Sequence, residues 1–198
     1  MSDYFQTLLD TISSIELKNC AINIKHKWKF INERSFAYEL YRHWCNFMPE
    51  DLVINAEITK KNKEEYMNKA KELFGKNVKR FSPDMVLHGG QDNLSRQEII
   101  CEIKDNKNLR TSTLSKDLKK LEAYTTNGGV LPHEFNVGCF ILINGDASDI
   151  AKKLSDEDIP LISNSKIIFL VVDITDEKAV HQVLRPKDII EIRNSLKK

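Results

Sequence analysis

The sequence predicts one α/β domain, with helices on both sides of a central sheet. Two segments, 137–144 and 166–172, are almost wholly apolar, as is typical of central strands covered on both faces. Upstream, a helical pattern is followed by three strand-like segments and then by a second helical pattern. This succession is typical of layered α/β proteins, and 198 residues are enough for a single such domain.

Apolar spacing predicts the N-terminal helices. Residues 3–15 carry apolar side chains at helical spacing and are predicted to form a helix, whereas the pattern of 16–30 is ambiguous. Asn32 is placed to cap a helix that runs to about residue 47. The buried stripe of that helix is predicted to comprise Phe36, Leu40, Trp44 and Phe47.

The later elements are predicted from alternation, apolar runs and turn residues. We predict a strand at 52–59, a Lys/Glu-rich helix at 62–74, strands at 83–88 and 97–104, a helix at 114–125 and a last helix at 187–197. The turn at 89–95 contains Gly-Gly, so its flanking strands are expected to form a hairpin. The segment 145–198 begins with Gly-Asp-Ala-Ser-Asp, which is expected to form a helix cap and loop, and we assign it no chemistry.

The composition excludes several functional classes. Lys and Arg number 30 against 29 Asp and Glu, so only local basic patches remain possible for nucleic-acid binding. No apolar run approaches the ~18 residues of a membrane span, and no signal-peptide pattern opens the chain, so we expect a cytoplasmic protein. The four cysteines form no CxxC pair and are expected to be buried reduced thiols, and the five histidines lack zinc-site spacing.

Three carboxylates stand where apolar residues would be expected. Glu102 and Lys104 share one face of their strand, while Ile99, Cys101 and Ile103 fill the other. Asp84 begins the neighbouring strand of the hairpin. Glu33 lies within the apolar sector of its helix and is expected to face the sheet, with Glu39 ranked well below it as an inward acid.

Each of these residues also has a purely structural explanation. Glu33 would offset the positive end of a helix dipole, and Glu102 with Lys104 would form an exposed ion pair of ~0–1 kcal/mol. Several carboxylates close together repel, however, and a divalent cation relieves that repulsion. Oxygen ligands favour Mg²⁺ or Mn²⁺, so a metal site is the prediction that uses all of these residues together.

The order Pro83-Asp84, then Glu102-Ile103-Lys104 on the next strand, with a glutamate on the preceding helix, resembles the PD-(D/E)XK nuclease superfamily. The segments AsnGluArgSerPheAlaTyrGluLeuTyr (32–41) and AspLeuLysLysLeuGluAlaTyrThr (117–125) are similar to the flanking helices of small prokaryotic members. The resemblance covers about residues 30–145. It implies a restriction-endonuclease-like α/β/α core, in which helices flank a central mixed sheet.

The resemblance also implies roles for individual residues. Asp84, Glu102 and the Ile103 carbonyl would bind Mg²⁺ or Mn²⁺, and Glu33 would complete the metal site. Lys104 would activate the attacking water and stabilise charge on the phosphate. On the following helix, Asp117, Lys120 and Tyr124 lie on one side, and Lys120 would lie nearest the phosphate. Glu57 is either a further site acid or a plain strand-surface acid.

The implied function is a metal-dependent nuclease that acts on DNA. Basic residues concentrate at 60–80 and 104–120, where they would neutralise backbone phosphates, although 60–74 alone is more typical of a solvated helix face with mixed charge. A homodimer would serve the cutting of two strands, but no heptad repeat indicates one. The alternative is a non-catalytic nucleic-acid-binding or protein-interaction module on the same fold.

Overall fold

The computed structural model describes residues 3–56, 83–90, 96–126, 134–163 and 165–197. The predicted helix at 62–74, Glu57 and the basic segment at 60–80 lie outside the described residues. The same holds for the end of the predicted strand at 52–59 and for most of the turn at 89–95.

Within the described residues, six strands form one mixed sheet and two shorter strands form a separate hairpin. The hairpin comprises β1 (Ala21–Ile24) and β2 (Lys27–Phe30), and the sheet comprises β3 (Val53–Ala56), β4 (Met85–His88), β5 (Gln97–Asp105), β6 (Val137–Ile143), β7 (Ile167–Thr175) and β8 (Lys178–Leu184). The sheet order is sequential from β3 to β8. Only the β5–β6 and β6–β7 pairs are parallel, and the other pairs are antiparallel.

Helices cover both faces of this sheet. They are α1 (Asp3–Ser13), α2 (Leu17–Cys20), α3 (Glu33–Trp44), α4 (Thr111–Thr125), α5 (Ala147–Lys153), α6 (Asp158–Ser163) and α7 (Pro186–Leu196). Side chains of α1, α2 and α3 pack in one core with Cys101 and Ile141, and those of α4 to α7 pack in a second core with Ile100 and Phe140. The predicted α/β architecture with two helical layers is confirmed.

The α3 helix begins and buries its first turns as the sequence predicts. The Asn32 side chain accepts a hydrogen bond from the Ser35 amide at 2.9 Å, which caps the helix. Phe36, Leu40 and Trp44 are fully buried. Phe47 is 49% exposed, and its predicted burial is wrong because the chain tightens into a 3₁₀ turn over Cys45–Phe47 and rotates that side chain off the stripe.

Two hairpins that the sequence does not reveal extend the fold. Lys25 and His26 join β1 to β2 with φ angles of 51° and 66°, and Asp176 and Glu177 join β7 to β8 with φ angles of 49° and 58°. Positive φ at both central residues is the geometry of a type I′ turn, in which Asn-Gly is usual. Neither turn contains glycine, so neither gave a hairpin signal.

The C-terminal part is more structured than the sequence predicts. The expected cap after residue 145 is confirmed, because the Asp146 carboxylate accepts hydrogen bonds from the Ser148 and Asp149 amides at the start of α5. The helices α5 and α6 and the edge strand β8 were not predicted. No helix among the described residues has the length and apolar character needed to span a bilayer.

All four cysteines are free thiols. Cys20, Cys101 and Cys139 are buried, as predicted. Cys45 is exposed, so the prediction of a buried thiol is wrong for that residue. It directly follows α3, where the chain turns away from the core.

Candidate functional site

Asp84 is held against β5 by two hydrogen bonds. The β4–β5 register places Met85 opposite Cys101, and the Asp84 amide donates to the Cys101 carbonyl at 3.1 Å. The Asp84 carboxylate accepts the Ile103 amide at 2.7 Å. The antiparallel hairpin therefore brings Asp84 beside Glu102 and Lys104, as predicted.

The alternation along β5 points Glu102 and Lys104 toward α4. Ile100 lies on the same face and belongs to the core beneath α4, whereas Ile99, Cys101 and Ile103 belong to the opposite core. Glu102 is only 1% exposed. A strand that is otherwise buried on both faces thus carries a carboxylate and an amine inside the molecule.

The α4 helix supplies a second amine and a further carboxylate. Lys120 Nζ lies 2.5 Å from Glu102 Oε1, and Lys104 Nζ lies 3.3 Å from Asp117 Oδ2. Lys120 also contacts Asp117, at 3.4 Å. Asp117 was predicted to share a helix side with Lys120 but was not predicted as a site residue; its three-residue spacing from Lys120 was the available signal.

Glu33 reaches the site from the other helical layer. Its Oε1 accepts hydrogen bonds from the Asp105 amide at 3.1 Å and from Asn108 Nδ2 at 3.0 Å. Its Oε2 lies 3.9 Å from Lys104 Nζ, and its side chain is 31% exposed. The start of α3 therefore lies at the carboxyl end of β5, and Glu33 occupies the solvent side of the site.

We call this group the acid–lysine cluster; it comprises Glu33, Asp84, Glu102, Asp117, Lys104 and Lys120. Its four carboxyl groups outnumber its two ammonium groups, so full ionisation leaves an excess of negative charge. Tyr124, on the same side of α4, is buried against Phe135.

Burial and mutual repulsion oppose ionisation of the acids. Burial raises the pKa of Asp84, although the Ile103 amide and the nearby Lys104 partly offset the effect. Burial also raises the pKa of Glu102 well above its usual range, with Lys120 opposing this shift and Asp84 and Asp117 adding to it. For both lysines burial favours the neutral amine, but the surrounding acids outweigh it and raise each pKa.

The donor chemistry of the cluster fits a hard divalent cation. Carboxylate and carbonyl oxygens are the ligands that Mg²⁺ prefers, and an excess of negative charge is what such an ion neutralises. The Ile103 carbonyl accepts a hydrogen bond from Lys104 Nζ at 3.2 Å, so it faces the cluster. Across the described parts of the chain, no three His, Cys, Asp or Glu side chains form a metal cage by themselves. Mg²⁺ usually keeps several waters, so two carboxylates and a carbonyl suit it.

The carboxylates of the cluster are already paired with protein cations. Lys120 contacts Glu102, and Lys104 contacts Asp117. Ion binding at this site therefore has to displace or share a lysine contact.

Glu39 is the inward acid of α3 that sequence reasoning ranked too low. Its side chain is 7% exposed, against 31% for Glu33. Glu39 does not join the acid–lysine cluster; it accepts hydrogen bonds from Arg42 at 2.6 Å and from Asn19 at 3.1 Å. The helical period placed Glu39 off the apolar stripe, but α2 packs against α3 and covers it.

Glu39 gives a prediction about pH-dependent stability. Burial alone would raise its pKa, but hydrogen bonds from Arg42 and Asn19 outweigh burial and lower the pKa to about 2. A lowered pKa adds stability above the ordinary value of 4.5, and this stability is lost as the pH falls toward 2. We expect Glu39→Gln to reduce the unfolding free energy by about 2 kcal/mol at neutral pH and by much less near pH 2.

Urea unfolding at both pH values measures this difference. The exposed Glu50→Gln variant is the control and should unfold like the wild type. An equal loss for Glu39→Gln at both pH values would show that the carboxylate charge contributes nothing.

Comparison with protein-family models gave no match, and neither the curated proteins nor the solved structures contain a match to this chain.

Proposed function

We propose that this protein is a metal-dependent nuclease that hydrolyses phosphodiester bonds, with DNA as the expected substrate. The observation that carries the proposal is the acid–lysine cluster, which gathers four carboxyl groups and two amines at one end of β5. Carboxylates that hold a divalent ion, next to an amine directed at a phosphate, are the groups that phosphodiester hydrolysis needs.

Each residue has a distinct part in this proposal. Asp84, Glu102 and the Ile103 carbonyl would hold Mg²⁺ or Mn²⁺. When bound, the ion supplies a positive charge for the phosphate and lowers the pKa of a bound water. Lys104 orients the attacking water and donates to the phosphate oxygens. Glu33 lies at the exposed side, where it positions solvent, and Lys120 holds Glu102 and adds positive charge beneath the phosphate.

The order of elements supports a restriction-endonuclease-like fold within the PD-(D/E)XK superfamily. The helix α3, the antiparallel strands β3, β4 and β5, the helix α4 and the parallel strand β6 follow one another as the resemblance implies. The site residues come from the beginning of α3, the hairpin of β4 and β5, and the inner side of α4.

Exposed basic side chains beside the cluster support a polyanionic substrate. Lys107, Arg110, Lys116 and Lys119 are all exposed, on the turn after β5 and on the outer side of α4. Backbone phosphates are contacted by such lysine and arginine side chains in nucleic-acid complexes. They lie in the basic segment 104–120, whose two other basic residues belong to the cluster.

One observation favours a non-catalytic alternative. Because Lys120 contacts Glu102 and Lys104 contacts Asp117, the protein's own cations already neutralise part of the cluster. A binding module on the same fold would retain this arrangement as a buried ion-pair network and would not require a metal.

Cleavage assays separate the two functions. We expect the wild-type protein to cut plasmid or single-stranded DNA in Mg²⁺ or Mn²⁺. Cleavage should stop in EDTA, because removal of the ion leaves the excess negative charge of the cluster without a counter-charge. The activity should co-elute with the protein in size-exclusion chromatography. If DNA and RNA both stay intact with either ion, and Mn²⁺ leaves the melting temperature unchanged, the nuclease proposal is wrong and the binding module is supported.

A further inference from the structure

The β1–β2 hairpin carries a local concentration of positive charge. Residues 17–32 contain four lysines and no acid, in a chain whose net charge is +1. Lys25, Lys27 and Lys29 are exposed, and no described residue lies within ion-pair distance of any of them. These three charges therefore remain available to a partner.

The register of the hairpin places two lysines and two isoleucines on one outward face. Ile22 is opposite Lys29 and Ile24 is opposite Lys27, and residues opposite each other on antiparallel strands project to the same side. The two isoleucines are 44% and 48% exposed. We call these four side chains, with Lys25 at the tip, the hairpin face.

The other side of the hairpin faces the body of the protein. Ala21 and Phe30 are buried there, and Trp28 Nε1 donates to Glu177 Oε1 at 3.4 Å. An open groove of about 820 Å³ lies behind the hairpin. It is lined by Lys27 and Lys29 together with five acids: Asp146, Asp149, Asp173, Asp176 and Glu177. Those acids repel a polyanion, so of the two sides of the hairpin the outward one suits a polyanion better.

The base of the hairpin is fixed next to the acid–lysine cluster. Asn144, at the end of β6, accepts the Phe30 amide at 2.9 Å and donates to the Phe30 carbonyl at 3.0 Å. Lys107 Nζ donates to the Ile31 carbonyl at 3.4 Å. Two residues after Ile31 the chain reaches Glu33, which belongs to the cluster. The base of the hairpin therefore lies close to the cluster.

We propose that the hairpin face binds the phosphate backbone of a nucleic acid whose continuation enters the acid–lysine cluster. Lys25, Lys27 and Lys29 contact phosphates, and Ile22 and Ile24 pack against the sugars between them. Lys27 and Lys29 are two residues apart, about 7 Å along the strand, and so can contact neighbouring phosphates of one nucleic-acid strand. The inference rests on the proposed nuclease function because it names how that substrate is held.

The turn of the hairpin offers a second test of the proposal. Lys25 and His26 hold positive φ, where Asn-Gly would be less strained. The turn of the β7–β8 hairpin, Asp176 and Glu177, has the same geometry with acidic residues and provides a matched comparison. Replacing Lys25 and His26 by residues that favour positive φ should stabilise the protein. The same replacement should weaken nucleic-acid binding, because the charge of Lys25 is lost.

Binding measured in EDTA tests the proposal without cleavage. Fluorescence anisotropy would follow labelled duplex DNA and the matching single strand between about 50 and 200 mM salt. For the triple variant Lys25→Gln, Lys27→Gln, Lys29→Gln we expect at least about tenfold weaker binding and a fall of about two to three in the slope of log K against log salt. The control replaces Lys152, Lys153 and Lys187, which lie on α5 and α7 in the other helical layer, by glutamine.

The outcomes separate this inference from the nuclease proposal. If the hairpin triple variant binds like the wild type, or if the control triple variant weakens binding equally, the hairpin face is not the binding surface, even when the wild type cleaves DNA. If binding depends on the hairpin but no cleavage occurs, the inference stands and the nuclease proposal fails. Absence of any DNA binding by the wild type overturns the inference.

The two turns give a second, independent comparison. Lys25→Asn with His26→Gly should raise the melting temperature and weaken DNA binding. Asp176→Asn with Glu177→Gly should raise the melting temperature without weakening binding. Unchanged binding by the first pair would contradict a role for the tip lysine.

Discussion

Replacing Glu102 with glutamine is expected to reduce DNA cleavage by at least about 10³-fold while leaving the protein folded. Glutamine keeps the shape of the side chain but removes the charge that would hold the divalent ion. A bound ion contributes several kcal/mol to stabilisation of the transition state, which corresponds to about three powers of ten in rate. The assay is the initial rate of plasmid nicking in Mn²⁺ at saturating enzyme.

The same substitution is expected to raise the melting temperature of the ion-free protein. Burial raises the pKa of Glu102, with Asp84 and Asp117 adding to the shift. A raised pKa gives stability that is complete below the ordinary value of 4.5 and is lost as the pH rises through the folded-state pKa. In Glu102→Gln the stability does not fall in this way, because glutamine does not ionise. Lys120 still has Asp117 as a partner in this variant. The gain over wild type should therefore grow with increasing pH.

Divalent ions should stabilise the wild type much more than Glu102→Gln. Mn²⁺ is expected to raise the melting temperature of the wild type, because the ion binds the folded cluster and not the unfolded chain. Glu102→Gln should lose most of that increase. Glu98→Gln is the matched control: Glu98 is a buried acid on the same strand, but its partners are Asn136 and Arg96. A wild-type rise that persists in Glu102→Gln would place the ion elsewhere.

Replacing Lys104 with methionine is expected to lower the cleavage rate by about 10² to 10³-fold without loss of ion binding. Lys104 Nζ contacts Asp117 and the Ile103 carbonyl and lies near Glu33, at the side of the cluster that solvent reaches. Methionine preserves the apolar stem but removes the donor that would stabilise charge on the phosphate, and loss of one such donor has an effect of this size. Removing the cation also increases the negative excess, so Mn²⁺ should stabilise this variant at least as strongly as the wild type.

Single-turnover rates at saturating DNA separate a chemical role for Lys104 from a binding role. Lys107→Met is the control, because Lys107 is exposed and pairs with Asp105 outside the cluster. Its rate at saturating DNA should match that of the wild type. If Lys104→Met also cleaves at the wild-type rate, the amine has no part in the reaction.

The sequence best predicts those strands of the sheet that are apolar along nearly their whole length. The strands β6 and β7 are nearly all apolar because both of their faces are covered, so their burial can be read directly from the sequence. The β1–β2 and β7–β8 hairpins were missed for a common physical reason. Their turns hold left-handed backbone with Lys-His and Asp-Glu, so the glycine that usually marks such a turn is missing.

The sequence predicts those residues of the candidate site whose positions follow from a single strand or hairpin. Alternation along β5 suffices to place Glu102 and Lys104 on one face, and hairpin pairing suffices to bring Asp84 beside them. Asp117 and Glu39 depend on how a second element packs. Asp117 is enclosed between the two lysines, and Glu39 lies beneath α2. The apolar period of either helix does not record such contacts between layers.

The distribution of the four thiols makes the native protein a convenient spectroscopic sample. Cys45 is exposed, while Cys20, Cys101 and Cys139 are buried, so a maleimide dye should attach at a single place while the fold is intact. That place follows the last turn of α3, about 18 Å along the helix axis from Glu33. A fluorophore there would report on ligand binding near Glu33. The rate at which three further thiols become reactive would measure unfolding of the protein.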